Sequence, residues 1–217
     1  MIESGFWLQF FIVASAHFLA VLSPGPDFII TMRQSLYQPR QQALLTSIGI
    51  ASGIAVHVCA ALFGVALFLQ TYDMLFVCLQ LLGLLYLLHL AYRCLKSKPY
   101  QTINLKDAAQ KKPEQTYFEA WKIGFFTNLA NVKAMMFFLA LFTVVIQQTT
   151  PFSWRLSFGL WMILATGLWF IGLNFIVSHH RIRNKIVGYA HWVDRVTGIV
   201  LLTICGNMLL HLFNSYF

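Results

Sequence analysis

Six apolar runs, at about 6–32, 43–69, 74–92, 118–146, 156–177 and 196–213, constrain this chain more than anything else in it. Each approaches or exceeds the roughly 17–25 residues that a helix needs to cross a bilayer. None shows the period-2 alternation that barrel strands carry. Hydrocarbon offers no water to an open backbone, so helices are the form such runs take. Composition agrees: only 10% of the 217 residues are charged and mean hydropathy is +0.68, whereas a soluble domain carries roughly 25% charged residues. The first run opens with Met-Ile-Glu-Ser rather than a basic segment and outlasts a signal-peptide core. It is therefore expected to remain as a first span.

The net charge of +8 is placed unevenly. Thirteen of the fifteen basic residues fall in connections one, three and five: Arg33 and Arg40; seven from Arg93 to Lys122; and Arg181, Arg183, Lys185 and Arg195. Connections two and four hold only Asp73 and Arg155 among charged residues. By the positive-inside rule the odd connections are cytoplasmic and both termini lie outside. No basic surface interleaved with aromatics is present, which argues against a nucleic-acid partner. Cys59, Cys78, Cys94 and Cys205 are scattered, without a C-x-x-C, and read as small apolar residues rather than disulfide or metal ligands. No cofactor is expected.

Residues 96–117 are polar, basic and punctuated by proline, as a cytoplasmic linker would be. They divide the chain into a first three-helix unit, 1–95, and a second, 118–217. With an odd number of spans in each, two related halves must lie upside down to one another, the inverted-repeat arrangement of many secondary transporters. The expected fold is thus an all-α integral membrane protein of six transmembrane helices in two inverted repeats.

Chemistry concentrates in the first span of each half. Leu22-Ser23-Pro24-Gly25-Pro26-Asp27 places two prolines around a glycine. This removes two backbone donors and interrupts the helix. In lipid, such backbone survives only where it is buried in protein or lines a cavity. Asp27 follows at once, either as a cap of the restarting helix or as a ligand or proton site, since an acid at that depth must face a partner or a wet cavity. In the fourth span, Asn128, Asn131 and Lys133 lie within six residues. At about 1.5 Å per residue, Asp27 and Asn128 sit roughly 9 Å from the cytoplasmic face and Lys133 roughly 16 Å. An acid and an amine separated by about 7 Å in depth suit a zwitterion, Asp27 near its ammonium and Lys133 near its carboxylate. A direct Asp27–Lys133 pair is the competing structural reading.

Other polar groups invite plainer readings. His17 lies ten residues before Asp27, too far along a straight helix to share a compact site, and it reads with His57 as a packing residue. Gly49 and Gly53 form a G-x-x-x-G pair, chiefly a close-packing signal. Asn174 reads as an interhelical hydrogen bond.

Three motifs together carry a resemblance: Ser-Pro-Gly-Pro-Asp (23–27), Gly-Ile-Ala-Ser-Gly-Ile-Ala-Val-His (49–57) and Gly-Phe-Phe-Thr-Asn-Leu-Ala-Asn-Val-Lys (124–133). They resemble the LysE/RhtB amino-acid exporters, and most of all their threonine-exporting branch, through Pro-Gly-Pro-Asp-Phe and Thr-Asn-Leu-Ala-Asn. The resemblance implies proton-driven export of small neutral amino acids, threonine- or homoserine-like, across the bacterial inner membrane. It also implies that Pro24, Gly25, Pro26, Asp27, Asn131 and Lys133 form the substrate site, with Asp27 coupling the proton. The family usually reads Asn-Pro-Lys where this chain has Asn131-Val132-Lys133. Without that proline, a continuous fourth helix is expected. Divalent-metal export and a non-transporting membrane subunit are the alternatives, though one acid beside a lysine is a poor metal site. An intramembrane enzyme is not expected: H-E-x-x-H is absent. A six-span chain of 24.8 kDa often forms a homodimer.

Overall fold

The computed structural model describes residues 2–71, 73–98, 114–146, 149–177 and 180–216. Most of the expected linker, 96–117, therefore lies outside the described residues. The described chain is helical throughout: α1 (Ile2–Leu22), α2 (Pro26–Tyr37), α3 (Arg40–Thr71), α4 (Asp73–Leu95), α5 (Tyr117–Leu129), α6 (Val132–Ala140), α7 (Phe152–Val177) and α8 (His180–Tyr216). A π-helical turn, Leu141–Val145, continues α6.

Among the described residues, five stretches are long and apolar enough to span a bilayer: Gly5–Leu22, Arg40–Gly64, Val77–Leu95, Phe152–Val177 and Gly188–Leu210. A sixth arises if α5 and the α6 segment count as one span, bent by 55° at their junction. The protein is thus a multi-pass helical membrane protein. Its outer faces suit lipid: Leu160, Leu164 and Leu168 expose an apolar stripe at four-residue spacing along α7.

Two of the apolar runs are broken, the first where its prolines predict and the fourth against expectation. The first apolar run, 6–32, is not one helix; the chain leaves helical geometry at Ser23 and restarts at Pro26. Pro24 and Pro26 cannot donate backbone hydrogen bonds, and Gly25 between them is fully extended (φ −151°, ψ −170°). The resulting α2 is a separate 12-residue helix that buries Phe28, Thr31, Met32 and Gln34. The fourth run is also broken, although Val132 stands where proline was expected. Asn131 is extended (φ −77°, ψ 97°) and its side chain accepts from the Lys133 N–H. Asparagine at an N-cap starts a new helix without help from proline.

α3 is the central element, packing most extensively on α5 and also on α7, while α4 packs along α8. At Gly49 and Gly124 the α3 and α5 backbones meet with no side chain between them. A Cβ at Gly49 would lie 2.1 Å from the Trp121 carbonyl oxygen, and one at Gly124 would lie 2.0 Å from that of Thr46. The Thr46 hydroxyl donates to the Ala120 carbonyl across the same seam at 3.0 Å. Gly49 of the G-x-x-x-G pair therefore serves close helix packing here. Asn174 links three helices, donating to Ser47 Oγ at 2.7 Å and accepting from the Ser35 hydroxyl.

Contacts also sort the connections. Gln115 N–H donates to Gln38 at 3.2 Å, and Gln42 donates to Glu114 at 3.0 Å. The α2–α3 connection thus lies against the start of α5. At the other end, Thr150 donates to Gln9 near the start of α1.

Candidate functional site

The two helix breaks face one another. Asp27, in the first turn of α2, places its Oδ2 between the amides of Asn128 and Asn131, each donating at 2.9 Å. Hydrogen bonds to a charged group are worth about 1.5–3 kcal/mol each. These bonds also tie α2 to both sides of the second break. Asp27 Oδ1 is buried and has no hydrogen-bond partner.

Asn128 and Asn131 are themselves held in place. Asn128 is fully buried at the end of α5, where a Cβ at Gly53 would come within 2.6 Å of its Oδ1. Gly53 therefore makes the space that the amide occupies. The Asn128 carbonyl is hydrogen-bonded to His57 Nε2 at 3.1 Å. Asn131 works at both ends of its amide: Oδ1 caps α6 at 3.0 Å from the Lys133 N–H, while Nδ2 donates to Asp27.

Lys133 does not supply the direct ion pair with Asp27 that the competing reading required. Its side chain crosses Gly25, where a Cβ would lie 3.6 Å from Nζ, and it donates to the Ser23 carbonyl at 2.9 Å and the Ser23 hydroxyl at 2.8 Å. The Ser23 hydroxyl in turn donates to Asp194 Oδ1 at 2.6 Å, and Ser97 donates to Oδ2 at 2.6 Å. Asp194, only 3% exposed on α8, is a site residue that sequence reasoning missed. It precedes the sixth apolar run by two residues and hides among basic neighbours. The readable signal was a lone acid in a helix-forming stretch running straight into that span.

The site separates two spaces. An inner cavity of about 50 Å³ is lined by Asp27, Asn131 and Lys133, by His17 and Thr166, and by aromatic side chains including Phe137, Phe138 and Phe170. That is room for a few waters. A vestibule of about 760 Å³ lies beyond Lys133, walled by Pro24, Gly25 and Pro26, the end of α4 with Arg93 and Lys98, and Asp194. Ser23, Gly25, Asn131 and Lys133 border both. Asn128 borders neither and acts by holding Asp27.

His17 requires a correction. It lines the inner cavity with Asp27, because the chain breaks between them and the straight-helix spacing no longer applies. Its Nε2 is 3.1 Å from the Thr166 hydroxyl, and its Nδ1 is buried without a partner. Among the described residues, no group of three or more His, Cys, Asp or Glu side chains could hold a metal ion.

Architecture and site define a class: a multi-pass helical membrane protein built around two interrupted helices with opposite charges at the interruptions. Comparison with known proteins is specific. The family model described as LysE type translocator matches residues 18–212, and the chain belongs to that family. It is 27% identical over 194 residues to the threonine efflux protein of Salmonella typhi, covering 88% of this chain and 92% of the relative. The threonine efflux protein of Escherichia coli strain K12 is 27% identical over 191 residues, with the same coverage. An uncharacterized membrane protein of Haemophilus influenzae is 26% identical over 188 residues, covering 86% and 89%. No solved structure matches.

Proposed function

We propose that the chain exports small neutral amino acids of the threonine or homoserine kind across the bacterial inner membrane, by proton antiport. In this reading its two halves, 1–95 and 118–217, are inverted repeats joined by the cytoplasmic linker 96–117. The observation that carries the proposal is the arrangement at Asp27. One carboxylate oxygen is fixed by two amides, the other is buried and unbonded, and an ammonium group stands across the same cavity wall.

Asp27 Oδ1 is an acceptor waiting for a donor, which a proton or a cargo ammonium satisfies in turn. Mutual exclusion at that oxygen is the essence of antiport: the site releases its proton to take cargo and releases cargo to take a proton. Lys133, with Asn131 beside it, receives the cargo carboxylate. Its Nζ uses two donor positions on Ser23 and retains a third N–H. The vestibule has space for an amino acid and the inner cavity has not, so cargo entering from the α4 end waits at Lys133 until the inner space widens. The family membership and the named function of the threonine efflux relatives support export as the direction.

The test is efflux of labelled threonine from vesicles containing the purified protein, with and without a pH gradient. Wild type is expected to show gradient-dependent efflux. Lys133→Ala is expected to lose it, and Asp27→Asn to lose the response to the gradient. Gradient-driven efflux that survives Asp27→Asn would end the coupling assignment.

A further inference from the structure

Lys133 and Asp27 carry opposite charges, border one small cavity, and yet do not pair. A buried ammonium needs compensation, and here it comes from another direction. Ser23 Oγ has one proton. It gives that proton to Asp194 Oδ1 at 2.6 Å and accepts from Lys133 Nζ at 2.8 Å. The chain of bonds runs one way, from ammonium to hydroxyl to carboxylate. It joins α6, the first helix break and α8.

We propose that Asp194 is a positioning residue of the transport site: acting through the Ser23 hydroxyl, it parks the Lys133 ammonium in the throat between vestibule and inner cavity and keeps it off Asp27. The relay explains two observations together. Asp27 Oδ1 can remain buried and unbonded because the nearest ammonium is already compensated. And Ser23 and Lys133, which border both spaces, are bonded to each other there, because the relay pins one to the other. Ser97, just beyond the end of α4, fixes the second oxygen of Asp194 at 2.6 Å and so aims the first at Ser23. Arg93, Lys98 and His89 also line the vestibule, so Asp194 brings negative charge to a largely basic mouth.

A cargo carboxylate arriving from the vestibule would then draw Lys133 from Ser23, opening the throat as it binds. Without the relay, Lys133 falls onto Asp27, and the cargo must separate a formed ion pair before it can use either charge. This consequence for transport rests on the export reading; the parking of Lys133 does not.

The experiment therefore has two arms, both on the full chain in lipid vesicles. In the first, Lys133 is labelled by reductive methylation with formaldehyde and borohydride, and its peptide is read by mass spectrometry. Asp194→Asn keeps an oxygen acceptor but removes the charge; Ser23→Ala removes only the hydroxyl. Each is expected to change the labelling rate of Lys133 severalfold, in the same direction, and the double variant is expected to go no further than either alone. An Asp194→Asn rate equal to wild type, or effects that add in the double variant, would overturn the relay. The second arm measures threonine efflux: Asp194→Asn is expected to raise the half-saturating concentration about tenfold with a smaller change in maximal rate. Absence of flux in wild type counts against the export reading, and unchanged half-saturation in a transporting Asp194→Asn counts against the relay.

Discussion

At Ser23–Gly25 the helix is stopped by covalent geometry, and at Ala130–Asn131 it is stopped by hydrogen bonds. In the first break, Pro24 and Pro26 have no N–H to give, and Gly25 serves as N-cap of α2 without a side-chain cap bond. In the second, nothing covalent prevents continuation. The chain turns by 55° because Asn131 caps α6 with one end of its amide while the other end reaches Asp27. A break held by proline stays whatever the charge state around it. A break held by a bond to the carboxylate at the centre of the site is sensitive to what that carboxylate holds. The two interruptions divide the work between a fixed rim and a responsive one.

Replacing Asn131 by Ala tests this division most severely. It removes a helix cap worth about 0.5–2 kcal/mol and takes one of two donors from a buried carboxylate, a further cost of about 1–3 kcal/mol. The melting temperature in detergent should fall clearly and efflux should be lost; a protein that melts like wild type would mean the second break does not depend on its cap. Pro24→Ala should do less. Ser23 N–H already bonds to the Leu19 carbonyl at 3.0 Å, so α1 gains only a residue or so before Gly25 and Pro26 stop it again. A stability change within about 1 kcal/mol is expected, since alanine restores helix propensity at a site where proline was tolerated. If Pro24→Ala melts lower than Asn131→Ala, the ranking of the two breaks is reversed. Smallest of all should be Val132→Pro. Val132 is the first residue of α6, where a backbone N–H has no helical partner and proline is readily accepted. Asn131 already has the extended backbone that a residue before proline prefers. Unfolding free energy should move by less than about 0.5 kcal/mol, and a larger drop would show that the Val132 N–H matters.

That last position shows why part of the site escaped a reading by residues alone. The spans were legible because hydropathy summed over about twenty residues reports burial in lipid whatever the packing partner. The break at Pro24–Pro26 was legible because proline acts on its own backbone. At Asn131 the missing proline points to a continuous helix, yet the capping asparagine alone is sufficient to break it; its strength comes from Asp27, 104 residues away. Asp194 was illegible for a similar reason. Its one local mark, a lone acid in a stretch running into the last span, is what any interfacial acid would show, and it becomes central only when α8 packs along α4 and brings it to Ser23. His17 was set aside on a helical ruler that ends at Ser23. Local chemistry could be read from the chain; chemistry made by meeting helices could not.

The bare crossing of α3 and α5 bears on how such a molecule changes shape. Where side chains separate two helices, they can slide by exchanging rotamers. Carbonyls seated in the hollows left by Gly49 and Gly124 have no rotamers to exchange. That pair of helices must travel as one stiff body, the axle of the molecule, and any rocking that exposes the cavity to the opposite side has to be borne by the helices around it.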